Sequence, residues 1–315
     1  HRLFDSQRGS SPSYPNKQLT EDAYNDGPEI ITNQSSTQFR IIDNPDGANA
    51  DGRGGNYDGR EHMALCFKGS GSSAVSNTDG NITTSCQANA TSGFSIITYT
   101  GQGTQTGKTV GHGLGAVPKF IISKDRLATS NVPSWRIYHA DNLNTKYMDF
   151  SNAAISTFND WDNTTPTSSV YSVGGSSGYT PTNTNLANYV AYVFAEVQGF
   201  SQFGSYTGNG NGNGPFIACS FKPAWILVKR TDSTGHWFML DTARNTYNLT
   251  DQYLIPSNYA APSNGSSAFQ VDVVSNGFKL RTSYAETNAS GGNYIYAAFA
   301  DNPFVTSGGV AGTAR

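Results

Sequence analysis

The feature that most constrains this chain is a repeat. The run Gly93-Phe94-Ser95-Ile96-Ile97-Thr98-Tyr99-Thr100-Gly101 returns as Gly199-Phe200-Ser201-Gln202-Phe203-Gly204-Ser205-Tyr206-Thr207-Gly208. Pro118-Lys119-Phe120-Ile121-Ile122-Ser123-Lys124 returns 105 positions later as Pro223-Ala224-Trp225-Ile226-Leu227-Val228-Lys229, Trp135 returns as Trp237, and Tyr189–Glu196 returns as Tyr294–Asp301. Four blocks in one order at nearly one spacing make residues 93–198 and 199–304 two copies of a unit of about 105 residues. Residues 1–70 read as the back half of a third copy. His1-Arg2-Leu3-Phe4-Asp5-Ser6-Gln7-Arg8 parallels Trp237–Arg244, Phe39-Arg40-Ile41 echoes Phe278-Lys279-Leu280, and Gly54-Gly55-Asn56-Tyr57 parallels Gly291-Gly292-Asn293-Tyr294. A half copy leaves an apolar sheet face without its partner, so its front half is expected from upstream sequence or from another subunit. Residues 71–92, rich in Gly, Ser, Asn and Thr, read as a linker, and 305–315 as a C-terminal tail.

Within a unit the apolar pattern has period two and comes in short runs: Phe94–Thr100, Lys119–Lys124, Trp135–Tyr138, Tyr147–Phe150, Val170–Val173 and Tyr189–Glu196. Gly- and Asn-rich turns separate them, and 34 glycines with 12% aromatic residues suit thin cores filled by Tyr and Phe. The expected fold is all-β: tandem antiparallel β-sandwich modules, jelly-roll-like, in an elongated arrangement. In Tyr189–Glu196 both alternating faces are apolar, so that strand should be covered on both sides. The joint between the full copies is only Val197-Gln198, which predicts a fixed mutual orientation.

Charge and hydropathy exclude whole classes of function. Twenty Lys+Arg against 23 Asp+Glu give a net charge of −3, without the basic excess that nucleic-acid phosphates require. The longest apolar candidate, Tyr189 to Val197, is about half a membrane span, so no membrane insertion is expected. His1–Asp5 carries neither a start methionine nor the form of a signal peptide, which points to sequence upstream. Cys66, Cys86 and Cys219 lack CxxC spacing and read as buried thiols rather than as disulfide or zinc ligands.

Several segments have chemical spellings. Gly103–Thr109 ends in Gly-Lys-Thr but fails the register of a phosphate loop, and no helical pattern follows it. Gly174-Gly175-Ser176-Ser177-Gly178 spells a hydrolase elbow in what reads as a hairpin tip. His112 before a strand is expected to bond its own turn. Asp46, Asn49 and Asp51 are the oxygen donors of a candidate calcium site in an Asp/Gly-rich loop; no other cofactor is expected. Trp161 has no evident counterpart in the second copy and stands between Asp160 and Asp162, with Asn163 beside them. On an open loop these four would make a glycan site, the ring stacking on a sugar face and the polar neighbours bonding hydroxyls; the alternative is a Trp folded back onto its own sandwich. Asp160 and Asp162 are also the one conceivable glycosidase pair.

The blocks Gly93–Gly101, His112-Gly113-Leu114-Gly115 with Pro118, Pro166–Val170, Tyr189–Glu196, Phe203–Gly210, Lys229-Arg230-Thr231-Asp232 and Ser275–Arg281 resemble a repeat seen in structural proteins of marine tailed bacteriophages. Ala74–Gly80 in the linker shares the likeness. The resemblance implies a virion structural protein on the particle exterior, a tail fibre or spike component in host attachment, with no enzymatic role and no catalytic residues carried over. It implies other virion proteins and a host surface glycan or protein receptor as partners, and a homo-oligomer, a trimer by analogy. Asn302-Pro303-Phe304 with its short tail is how such chains finish. The rival readings are a capsid decoration or head-fibre protein and, further off, a carbohydrate-active enzyme.

Overall fold

The structure, a computed structural model, describes residues 3–5, 7, 9–13, 31–32, 40–41, 64–126, 135–142, 144–150, 155–175, 180–256 and 267–300. Asp46, Asn49, Asp51 and the Gly54–Tyr57 parallel lie outside them. The chain is nearly all β, and every pair of named strands is antiparallel. Four short strands come first: β1 (Leu3–Asp5), β2 (Gly9–Ser13), β3 (Ile31–Thr32) and β4 (Arg40–Ile41). Residues 71–92 are not a plain linker: they hold β5 (Val75–Asn77) and β6 (Thr84–Asn89), whose ladder with the next strand adds them to the first unit's sheet. The first unit itself holds β7 (Phe94–Thr100), β8 (Lys108–Gly111), β9 (Pro118–Asp125), β10 (Trp135–His139), β11 (Lys146–Tyr147), β12 (Ser156–Thr157), β13 (Val170–Val173) and β14 (Asn188–Ala195). The second holds β15 (Ser201–Thr207), β16 (Phe216–Ala218), β17 (Pro223–Arg230), β18 (Trp237–Asp241), β19 (Tyr253–Leu254), β20 (Val271–Val274), β21 (Gly277–Leu280), the single-turn α1 (Ala285–Asn288) and β22 (Asn293–Ala300).

The two large sheets share one plan. The first runs β10-β9-β14-β7, extended by β6 and β5; the second runs β18-β17-β22-β15, with β19 beyond β18. Register agrees residue by residue. Tyr189 faces Asp125 and Tyr99, while Tyr294 faces Arg230 and Tyr206; Trp135 faces Lys124, while Trp237 faces Lys229. The bulge falls at the same place in both, opposite Pro118 and opposite Pro223.

The same polar clamp closes each unit. Tyr99 stacks on Tyr189 at 4.9 Å and Tyr206 on Tyr294 at 4.8 Å, and their hydroxyls donate to the carbonyls of Thr182 and Thr287. Asn183 and Asn288, each fully buried, accept from the backbone N–H of Gln102 and Asn209 and donate into the loop after the first strand. A Cβ at Gly101 would meet the Thr184 carbonyl oxygen, and one at Gly208 the Ala289 carbonyl, so this close approach demands glycine in both units.

Apolar side chains sort into three layers. Tyr189, Ala191 and Val193 of β14 face a core with Val110, Tyr171 and Val173 of the β8–β13 pair. Tyr294, Tyr296 and Ala298 of β22 face a core with Ile217, Phe278 and Val271 of the β16-β21-β20 sheet. The opposite faces, Val190, Tyr192 and Phe194 on β14 and Ile295, Ala297 and Phe299 on β22, meet each other in a third core with Phe120, Trp135, Phe203 and Trp237. Both faces of β14 are therefore covered, as its pattern requires. The units are not strung out in the expected elongated arrangement: they pack large sheet to large sheet, because each inner face is too apolar to be left in water and the other unit covers it. Trp237 Nε1 donates to Asp149 O across this layer at 2.8 Å, and His139 Nε2 meets Tyr296 O at 3.1 Å.

Candidate functional site

The loop expected to present Trp161 to a sugar turns inward. Trp161 is 1% exposed and packs edge-on against Tyr138 and Tyr171, at 5.7 and 6.1 Å, inside the first unit's core. A ring buried on both faces offers no surface to a glycan, so the site of Trp161, Asp160, Asp162 and Asn163 is not assembled. Asp160 is fully buried, its Oδ2 2.6 Å from Arg136 Nε, and the Arg136 guanidinium lies over the Tyr147 ring at 4.3 Å. Burial pushes the Asp160 carboxyl up to about 6 while Arg136 pulls it down. Asp162 and Asn163 stay at the surface in left-handed backbone, where Asp162 Oδ2 accepts from Gly107 N at 2.6 Å. The two aspartates thus point to different environments, one sealed and one capping a turn, and they do not form an acid pair across a cleft.

Trp161 also has a counterpart. Thr182 Oγ1 donates to Asp160 O and Thr287 Oγ1 to Ala268 O, each at 2.6 Å, which aligns Asp160 with Ala268 and Trp161 with the fully buried Phe269. Loops of different length between the clamps hide this in the sequence.

The other spellings are turned to structural ends. Lys108-Thr109 open strand β8, not a helix. Gly174 N donates to Asp160 O and Gly175 N to Gln105 O, binding the start of the Gly174–Gly178 run to the sandwich; Ser176 lies outside the described residues. His112 is buried, with Nδ1 accepting from Leu114 N and Nε2 against Thr167 O, and burial lowers its pKa. Cys86 and Cys219 are buried and their thiols are pushed up, Cys219 to about 12. Cys66 is exposed, contrary to the reading of all three as buried. Among the described residues no three His, Cys, Asp or Glu side chains gather in a way that could hold a metal ion. No described helix is long and apolar enough to cross a membrane.

A candidate contact site lies on the second unit. A shallow groove of about 400 Å³ is lined by Ser267, Gln270, Arg281, Ser283 and Tyr284 among others. Tyr284 is 40% exposed, and its hydroxyl donates to Glu286 Oε1 at 3.2 Å. Arg281 is held by Asp272 at 2.7 Å, and Thr282 is anchored to the Ser267 carbonyl. An aromatic face beside amide, hydroxyl and guanidinium groups is the chemistry that meets a sugar or a polar peptide. Arg281–Ala285 are consecutive, but Gly212, Ser267 and Gln270 join them only on folding.

Residues 1–303 match the family described as "Domain of unknown function (DUF7483)", and the chain belongs to that family. No curated protein and no solved structure matches it.

Proposed function

We propose that this family member is a structural component of a tailed-bacteriophage virion, a tail fibre or spike part that takes part in host attachment, built from tandem antiparallel β-sandwich units of jelly-roll type. The repeated blocks that resemble phage structural proteins favour the particle exterior. One observation carries the choice of scaffold and contact surface over catalysis: the acidic residue best placed in the sequence for chemistry, Asp160, is sealed beneath a sheet against Arg136, whereas polar and aromatic side chains, Tyr284 among them, line a shallow surface groove. In this reading Tyr284, Gln270 and Arg281 meet the host glycan or protein receptor, and the remaining surface meets other virion proteins or copies of the chain.

Two experiments test the reading. A reconstruction of the particle should place the chain on the tail; density on the head lattice would make it a decoration or head-fibre protein instead. Particles carrying Tyr284→Ala should adsorb to host cells at least about tenfold more slowly, as expected for an aromatic contact at the centre of an interface. Unchanged adsorption would remove the groove from the account.

A further inference from the structure

One side of the sandwich is closed in the first unit and open in the second. In the first, β6 pairs with β7 and β5 with β6, so residues 75–89 continue the edge of the large sheet. Just before β6 the same segment closes the small sheet. Ile82 bridges Val110 of β8 in parallel, and its N–H donates to the Thr109 carbonyl at 3.0 Å. The Asn81 side chain accepts from Thr109 N and donates to Gly107 O, each at 2.8 Å, and Thr84 Oγ1 donates to Gly111 O at 3.0 Å. Ile82 and Cys86, each 3% exposed, plug the gap between the two sheet edges as members of the first unit's core.

The second unit has both edges and no such arm. His112 N donates to Ser169 O and Cys219 N to Asn276 O, which aligns Thr109, Val110 and Gly111 with Phe216, Ile217 and Ala218. The stacked tyrosines align Thr98 and Thr100 with Ser205 and Thr207. β15 and β16 are the last strands of their sheets. Ahead of β15 the short joint supplies one bridge, Val197 to Ser201, and Glu196 Oε2 accepts from Phe203 N at 3.4 Å where Ile96 pairs with Gln87. Beyond that point the outward N–H and C=O groups of Ser205, Thr207, Phe216 and Ala218 have no partner among the described residues. All four residues are exposed, Phe216 by 46%, and the 3-10 turn Ala140–Asn142 of the first unit lies near β15 without covering them. The gap shows in the core as well: Tyr206 is half-buried where Tyr99 is buried, and every side chain of the core beneath β16 comes from residues 206–300.

We propose that this side of the second unit is a strand-acceptor site, and that it takes an extended, uncharged arm of a different protein. The arm that fits has the chemistry of residues 80–89: an apolar side chain for the place of Ile82, its N–H donating to Phe216 O, and hydroxyl residues after it to reach Ala218 O. Gly214 O, the counterpart of Gly107 O, already accepts from Lys279 Nζ at 2.8 Å, so the residue before the apolar one needs only to accept from Phe216 N. Main-chain hydrogen bonds to the open edge supply affinity and the inserted side chain supplies specificity. The chain's own arm is engaged by the first unit, and in an exchange between two copies each arm gained by a second unit is lost by a first. Edge-to-edge pairing of two copies brings no side chain into the gap. The site follows from comparing the units and is independent of the Tyr284 groove.

The probe is a labelled synthetic peptide of residues 72–92, added to the whole chain and followed by fluorescence anisotropy. One peptide per chain should bind saturably, and the same peptide with Ile82→Asp, or methylated at the Ile82 backbone nitrogen, should bind at least about tenfold more weakly. Hydrogen exchange locates it: the amides of Ser205, Phe216 and Ala218 should exchange at least about tenfold more slowly with peptide bound, while the Thr109 amide is unchanged. Ala218→Pro removes one outward donor and no bond of the sheet, so it should weaken the peptide at least about tenfold with the melting temperature unchanged. No saturable binding, full affinity in a folded Ala218→Pro chain, or protection confined to the first unit would overturn the proposal. So would a chain that is a dimer by itself with Phe216 and Ala218 already protected, which would make a second copy the occupant.

Discussion

The two units solve one position of their cores in opposite ways. In the first, Arg136 on β10 pairs with Asp160 and lies over Tyr147, beside Ser123 on β9. In the second, the same register places Phe238 next to Val228, with Tyr253 at 5.1 Å and Ala268 where Asp160 stands. Tyr171 is likewise answered by Phe278. A buried ion pair and a purely apolar packing thus sit beneath the same clamp of stacked tyrosines, buried threonine and buried asparagine. The lesson is that the clamp and the register define the fold, while the polar pair is one of two interiors that it accommodates. Desolvating two charges offsets most of their mutual attraction, so replacing both by apolar groups can cost little, whereas removing one strands the other.

The largest effect is expected at Asp160. Asp160→Ala leaves the buried Arg136 side chain, 3% exposed, without its carboxylate and should destabilise the protein by about 3–5 kcal/mol in urea unfolding. A loss below about 1 kcal/mol would mean that water reaches the pair. Next in size, Asn183→Ala and Asn288→Ala should each cost about 1–3 kcal/mol, because each strands buried backbone donors and acceptors. Their costs should agree if the clamp is one device used twice, and a large inequality would sharpen the contrast between the units. The double change Arg136→Phe with Asp160→Ala, which writes the second unit's solution into the first, should lie within about 1 kcal/mol of the parent or above it.

The smallest effect is on pH dependence. The Asp160 carboxyl titrates near 6 in the fold against an ordinary value of 3.8, so between those limits the folded chain holds a proton that the unfolded chain has released. Its contribution to stability is greatest below the lower limit and declines as pH rises toward 6. The parent should show this downward slope relative to the Arg136→Phe, Asp160→Ala protein, measured by urea midpoints at successive pH values; parallel curves would place the carboxyl in an ordinary environment.

Much of this architecture is legible in the residues. The paired blocks carry their own register, since Tyr189 and Tyr294 meet their partners at matching places, and the two apolar faces of Tyr189–Glu196 announce a strand covered on both sides. What the pattern does not say is which surface covers the second face. Period-two alternation records that a face is dry but is silent on its partner, so a face-to-face stack and a row of separate beads have the same spelling. Trp161 was illegible for a related reason. Its equivalent is Phe269, in a loop of different length, so the linear repeat leaves it unmatched. The Tyr284 groove left no linear trace, because Ser267, Gln270, Arg281 and Tyr284 are ordinary turn and edge residues until β20, β21 and α1 are assembled.

The units are sealed to one another through their inner faces, and the stacked pair Phe120 and Phe203, 5.8 Å apart across that layer, reports on the seal. In a double-mutant cycle with Phe120→Ala and Phe203→Ala, followed by equilibrium unfolding, direct packing predicts a coupling of at least about 0.5–1.5 kcal/mol. Costs that add within about 0.3 kcal/mol would mean that the two side chains do not share a core, and would contradict the stacked arrangement.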